Sequence, residues 1–255
     1  MGILKISIIT AVFNRDYCVA DALLSVYAQN WSNVEHVLVD GGSTDRTNQV
    51  IHEFLDSNVR SGYVANCTSQ PDFGIYDALN KGINRATGDV IGLMHSDDFF
   101  ADSEVLSSVA MVFENPDVDA VYGDLDYVAK VDSKRIIRRW RSGDFSQDKL
   151  ARGWMPPHPT LFLRRNVIDR WGVFDTRYKI AADYDFILRC LGQGKIRIVY
   201  IPRVLVKMRL GGESNYSLRK ICLKTKEDYL ALRRNHVGGI WALICKNVSK
   251  LGQFF

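Results

Sequence analysis

Four short apolar runs in the first hundred residues, each followed by a helical pattern, constrain the fold of this chain more than any other feature. Lys5 to Val12, Val34 to Val39, Gly62 to Cys67 and Asp89 to Met94 read as strands. Asp16 to Gln29, Asp45 to Leu55, Ile75 to Ala86 and Ser103 to Phe113 carry apolar residues at helical spacing. Strands alternating with helices of this length build a Rossmann-like α/β fold, with a mostly parallel central sheet flanked by helices. Ligands of such sheets bind beyond the carboxyl ends of the strands, so the polar residues just after each strand are where chemistry is expected.

After Asp119 the pattern loosens. Short strands at Ala120 to Tyr122, Leu125 to Ala129 and Arg135 to Trp140 predict a hairpin-like insertion, and the proline-rich GWMPPHPTLFL reads as a loop entering a strand. A helix is expected from about Ala182 to Leu191, ending at Gly192, and the tail is helical in pattern from Ser217 to Arg234 and from Ile240 to Leu251. With 255 residues, the chain suits one α/β unit over 1–215, in two halves near 1–100 and 101–215, with a helical tail over 216–255.

Charge and cysteine usage narrow the function classes. The net charge of +4 is modest and well mixed until about residue 200, which argues against a nucleic-acid partner. The tail, by contrast, is basic: Arg219, Lys220, Lys224, Lys226, Arg233, Arg234, Lys246 and Lys250 face few acids. Five cysteines without zinc-like spacing predict isolated thiols in a reducing, cytoplasmic setting. No apolar run is long enough to span a bilayer, and the opening segment, interrupted by Lys5 and Asn14, reads as a strand rather than a signal peptide. The basic, partly apolar tail would suit a helix lying on an anionic membrane surface; a helix packed back on the main unit fits equally well.

Four acidic motifs could carry chemistry. In VLVDGGSTD, Asp40 ends a strand before two glycines, where a carboxylate can meet a base or ribose, or can brace a turn. In HSDDFF, Asp97 and Asp98 follow a buried run and suit a hard cation shared with phosphates; an acidic loop capping the next helix, with Asp102, is the alternative. In IAADYDFILRC, Asp183 shares its helix face with Phe186, Ile187, Cys190 and Leu191, whereas Asp185 falls beside Arg189, so Asp183 is expected to be the carboxylate in an apolar setting and the general base. An N-cap role for Asp183 is the bland reading. In QPDFGIYDALNKG, Asp72 and Lys81 are candidates for holding a donor's polar groups, against a helix cap and a solvated lysine. His158 in PPHPT and Asp185 are assigned to the acceptor side, and Gly211, Gly212 and Ser214 form a turn that could close over a ligand.

Taken in order, TAVFNRD, VLVDGGSTDRT, DFGIYDALNKG, GDVIGLMHSDD and AADYDFILR resemble the inverting glycosyltransferases of the large family 2, which have the GT-A fold. The likeness runs over roughly residues 5 to 215. It implies transfer of a sugar from a nucleotide-diphosphate sugar to an acceptor hydroxyl, with Mn2+ or Mg2+ as cofactor. It implies that Asp40 and Asp72 bind the donor nucleoside, that Thr10 and Asn14 line the same pocket, and that Asp97 belongs to the metal-binding acidic motif. Here His95 stands where many members have an aspartate, so metal binding would rest on Asp97 with Asp98. The family base would be Asp183, preceded here by Ala182 rather than glutamate. Relatives of this kind often build bacterial surface polysaccharides (O-antigen, capsule or exopolysaccharide), and if the basic tail lies on a membrane surface the expected acceptor is a lipid-linked saccharide. Two rivals are a nucleotide-sugar-binding module without catalysis and a sugar nucleotidyltransferase; the latter needs a glycine-rich basic loop after the first strand, and TAVFNRD is not one.

Overall fold

A computed structural model of the chain describes residues 3–210 and 218–248. The turn expected at Gly211, Gly212 and Ser214 lies outside them. The first half follows the expected alternation: β1 (Ile6–Val12), α1 (Val19–Tyr27), β2 (Val34–Asp40), α2 (Thr47–Ser57), β3 (Tyr63–Ser69), α3 (Ile75–Arg85) and β4 (Val90–Leu93), then α4 (Val105–Phe113) after a two-residue strand β5 (Phe99–Phe100). β1, β2, β3 and β4 pair in parallel, so the segments after them emerge along one edge of the sheet. β1 is buried along its whole length, and its alternation feeds two cores. Ile9 and Ala11 pack under α3, while Ile6 and Ile8 meet Ala22 and Val26 of α1 and Val109 of α4.

In the second half, β6 (Ala120–Val128) is one nine-residue strand where two pieces were expected. It pairs with the hairpin strand β7 (Ile136–Trp140) and, in parallel, with β9 (Ile198–Arg209), a strand that apolar periodicity does not reveal. Pro202 interrupts β9, but the register with β6 skips residues 201–203, so the missing N–H costs no ladder bond. The short α5 (Gln147–Ala151) and α6 (Arg165–Trp171) were also unforeseen; β8 (Phe162–Arg164) is the strand expected after the proline-rich loop. The sheet order is β3-β2-β1-β4-β8-β6-β9-β5, with β7 on β6.

α7 (Ala182–Leu191) packs against α5, α6 and α8 (Leu218–Arg234), and α9 (Ile240–Val248) packs on α8. Ala231, Leu232 and Ala242 are buried in the same core cluster as Ile187 and Leu188. The tail is thus docked on the main body of the chain. It nevertheless leaves Ile240, Trp241 and Ile244 exposed at 64%, 69% and 47%.

Candidate active site

The loops after β1, β2 and β3 meet at one corner. Asn14 adopts a left-handed backbone (φ 50°), which turns its amide toward the β2 loop. Its Oδ1 accepts the Thr44 N–H at 2.8 Å, and its own N–H donates to Ser43 Oγ at 2.8 Å. Asp40, fully buried, accepts from the N–H groups of Gly42 and Ser43, from Asn48 Nδ2 at 2.9 Å, from Ser69 Oγ at 2.6 Å and from Ser43 Oγ. Burial pushes its pKa up, but these donors outweigh burial and hold it below the ordinary carboxylate range. Asp40 is thus held by its own loop, by α2 and by the end of β3, and acts as the brace of the corner. Thr10, expected beside Asn14, is buried, and its Oγ1 lies 2.9 Å from His36 Nε2 inside the sheet.

Asp72 is the carboxylate this corner leaves open. One oxygen accepts the Gly74 N–H at 2.8 Å; the other fills the space where a side chain at residue 41 would begin, beside the ring of Phe13. Only glycine at position 41 allows that approach. Phe13 is 54% exposed and offers a ring beside the carboxylate. Lys81 points elsewhere, bonded to Asp77 at 3.0 Å and to the Pro71 carbonyl at 3.0 Å, so it ties α3 to the preceding loop.

Beyond β4 the two adjacent aspartates diverge. Asp97 is half-buried and lines a cavity of about 330 Å³ together with Tyr17, Asp21, Lys130 and Arg209. Asp98 is fully buried; one oxygen accepts the Arg209 N–H at 3.0 Å and the other has no hydrogen-bond partner among the described residues. Burial, with Asp97 adding to it, raises the Asp98 pKa well above the usual range. Of the two aspartates expected to share a cation, Asp97 is the one that faces the cavity. Arg209 knots this turn, donating to the Asp97 carbonyl at 3.1 Å and to Asp21 on α1.

The third corner is the start of α7. Here the structure reverses the helical-wheel ranking, because α8 covers the flank that a lone helix would expose. Asp185 is the buried one, held by Arg189 at 3.1 Å and by Asn235 of the tail at 2.9 Å, so it faces away from the cleft. Asp183 is half-buried, with the Tyr76 hydroxyl 3.3 Å from its Oδ1. His95 feels the charges of both Asp97 and Asp183, and its ring lies 5.3 Å from that of His158. Burial lowers the pKa of both histidines, that of His158 to about 4, so both rings are neutral near pH 7. His158 Nε2 is buried with no hydrogen-bond partner among the described residues. Tyr76 of α3 and His95 after β4 thus tie the start of α7 to the other two corners, and the family model "Glycosyl transferase family 2" matches residues 7–172, which contain both.

The chain belongs to that family. A PGL/p-HBAD biosynthesis glycosyltransferase of Mycobacterium bovis (strain BCG / Pasteur 1173P2) is 32% identical over 220 residues, covering 86% of this chain and 82% of the relative. A Haemophilus influenzae glycosyltransferase is 27% identical over 83% of this chain and 81% of its own. Among solved structures, S. aureus TarS 1–349 in complex with UDP-GlcNAc superposes with a TM-score of 0.68 at 18% identity, over 92% of this chain and 66% of that one. A Pyrobaculum calidifontis mannosyltransferase in complex with GDP-Man and Mn2+ gives 0.66 at 16% identity, over 98% and 74%. The chain spans about two thirds of the TarS fragment. Both superpositions give this glycosyltransferase the expected fold, a mostly parallel sheet flanked by helices.

Sequence reasoning passed over several residues of this glycosyltransferase's cleft. Tyr76 sits one residue into a helix and looks like core; Arg209 lies in the unrecognised β9; His95 was read only as a missing aspartate; Lys130 is in a hairpin tip. Their signal is spatial, and nothing in local spacing announces it.

Proposed function

We propose that this glycosyltransferase moves a sugar from a nucleotide-diphosphate sugar to an acceptor hydroxyl with inversion, using a divalent cation. The observation that carries the reading is that Asp97 and Asp183 both act on one neutral histidine, His95, with the ring of His158 5.3 Å from it. In this reading Asp72 and Phe13 receive the nucleoside over Gly41, and Asn14 with Asp40 keep that corner in shape. Asp183 takes the proton from the acceptor hydroxyl, which then attacks the anomeric carbon as the nucleoside diphosphate leaves from the opposite side. A single-displacement transfer needs only that one carboxylate, since the leaving group departs as an anion; a glycosidase would need two.

The residues present fit one cation held through a single protein carboxylate. Asp97 is open to the cavity, His95 is near enough to feel its charge, and diphosphate oxygens and water would complete the shell, whereas Asp98 is turned into the body. Mn2+ or Mg2+ held there would supply positive charge to the departing diphosphate. Arg209 and Lys130 line the same cavity and add to that field. The Mn2+ and GDP-Man of the Pyrobaculum enzyme support this assignment.

We assign residues 1–215 to the catalytic unit and 216–255 to an appended tail, and place the protein on the inner face of a bacterial cell membrane, acting on a lipid-linked saccharide in surface-polysaccharide assembly. No helix among the described residues is long and apolar enough to cross a membrane. What supports surface contact is the exposed Ile240, Trp241 and Ile244 on α9, next to an α8 whose first turns expose Arg219, Lys220, Ile221 and Leu223. The test is nucleoside diphosphate release from a panel of UDP-, GDP- and dTDP-sugars, with and without Mn2+, in wild type and Asp183→Asn. Metal-dependent release that falls ~10²-fold or more in the variant, with donor binding kept, supports the reading. Donor binding without turnover, with Asp183→Asn unchanged, would make the protein a binding module.

A further inference from the structure

The segment just before α7 is held by the tail. Glu227 of α8 is buried, and its carboxylate accepts three successive backbone N–H groups: Lys179 at 2.9 Å, Ile180 at 2.8 Å and Ala181 at 3.0 Å. From the other side the Tyr76 hydroxyl donates to the Ile180 carbonyl at 2.6 Å and lies 3.3 Å from Asp183 Oδ1. The Ala181 carbonyl then accepts the first bond of the helix, from Asp185 N–H at 3.0 Å. No side chain at the N-cap position itself, Ala181, contributes a cap. The start of α7 is therefore set by one carboxylate from the tail and one phenol from α3.

We infer that Glu227 is a positioning residue for Asp183, which makes the tail part of the transfer machinery. The inference rests on the reading of Asp183 as the base. Asp183 is the first acid of α7 and stands two residues after the last amide that Glu227 holds. By fixing the backbone of residues 179–181, Glu227 sets where the helix starts and so where the Asp183 side chain leaves it, beside the Tyr76 hydroxyl. A capping carboxylate supplied from 46 residues away also makes the geometry of the base conditional on the tail being docked.

The experiment compares Glu227→Ala and Glu227→Gln with wild type and Asp183→Asn in the full chain, reading kcat and KM for nucleoside diphosphate release from the donor that the UDP-, GDP- and dTDP-sugar panel selects. Amide hydrogen exchange at residues 179–181 is read alongside. The expected result for Glu227→Ala is faster exchange at those three amides and a kcat about tenfold or more lower at a nearly unchanged donor KM. Glu227→Gln, which keeps an acceptor oxygen and the packing volume, should recover a good part of that loss. A structural role alone would lower the fraction of active protein or raise KM and give no ordered recovery in kcat, and that pattern overturns the inference. Unchanged exchange at 179–181 in Glu227→Ala overturns it whether or not turnover is seen. If Asp183→Asn abolishes release while both Glu227 variants match wild type, the base reading stands and the positioning role falls. If Asp183→Asn matches wild type, the base reading falls and takes the positioning role with it.

Discussion

His36 lies fully buried between Thr10 Oγ1 and the Tyr63 hydroxyl, each 2.9 Å from a ring nitrogen, and burial lowers its pKa from 6.5 to about 3. The folded protein therefore keeps the ring neutral where the unfolded chain would protonate it. Between about pH 6.5 and 3 the unfolded state binds one more proton at this site, so stability falls with acidification by about 1.4 kcal/mol per pH unit. Integrated from pH 7 to pH 5, with the onset near 6.5 rounding the curve, His36 removes about 2 kcal/mol. His158, lowered to about 4, acts in the same direction and by a similar amount over that interval. Asp98 runs the other way, because its raised pKa means that acidification relieves a buried charge. The difference between wild type and His36→Gln cancels such shared contributions. Urea unfolding at pH 7 and pH 5 should show wild type losing about 2 kcal/mol more than the variant over those two units. Parallel pH profiles for the two proteins would refute the claim that His36 is held neutral by burial.

Three further outcomes follow from the cleft and the tail. Asp97→Asn should weaken Mn2+ binding in the presence of UDP or GDP by about tenfold or more, whereas Asp98→Asn should leave it within about threefold; Mn2+ titration by electron paramagnetic resonance reads both, and the reverse order would return Asp98 to the metal. In Gly41→Ala, the new methyl meets the Asp72 carboxylate and must displace it, so calorimetric affinity for the nucleotide should fall by about tenfold with little change in Tm; equal affinities would remove Asp72 from the nucleoside site. Trp241→Glu with Ile244→Glu should abolish binding to phosphatidylglycerol vesicles at low salt without lowering donor affinity. A wild-type protein that stays in the supernatant with those vesicles would leave the tail as a docking element alone.

The pattern of apolar runs alone was enough to place β1 to β4, the helices between them and α7, because strand and helix periodicities report which faces of a local element are buried. It also brought Asn14, Asp40, Asp72 and Asp97 to the edge where loops of a parallel sheet gather, since that edge follows from chain direction. Periodicity could not reveal how many partners each of these side chains already has. Asp40 is saturated by Ser43, Asn48 and Ser69, Thr10 is turned to His36, Lys81 is spent on Asp77 and Pro71, and Asp98 faces Arg209 of a strand that Pro202 disguises. The ranking of Asp183 and Asp185 inverted for the same reason: a helical wheel has one buried face, but the docked tail gave α7 a second. Local sequence sets where a carboxylate stands along its element. Whether it is open to a ligand depends on donors that arrive from 29 to 111 residues away, and only the folded chain brings them together.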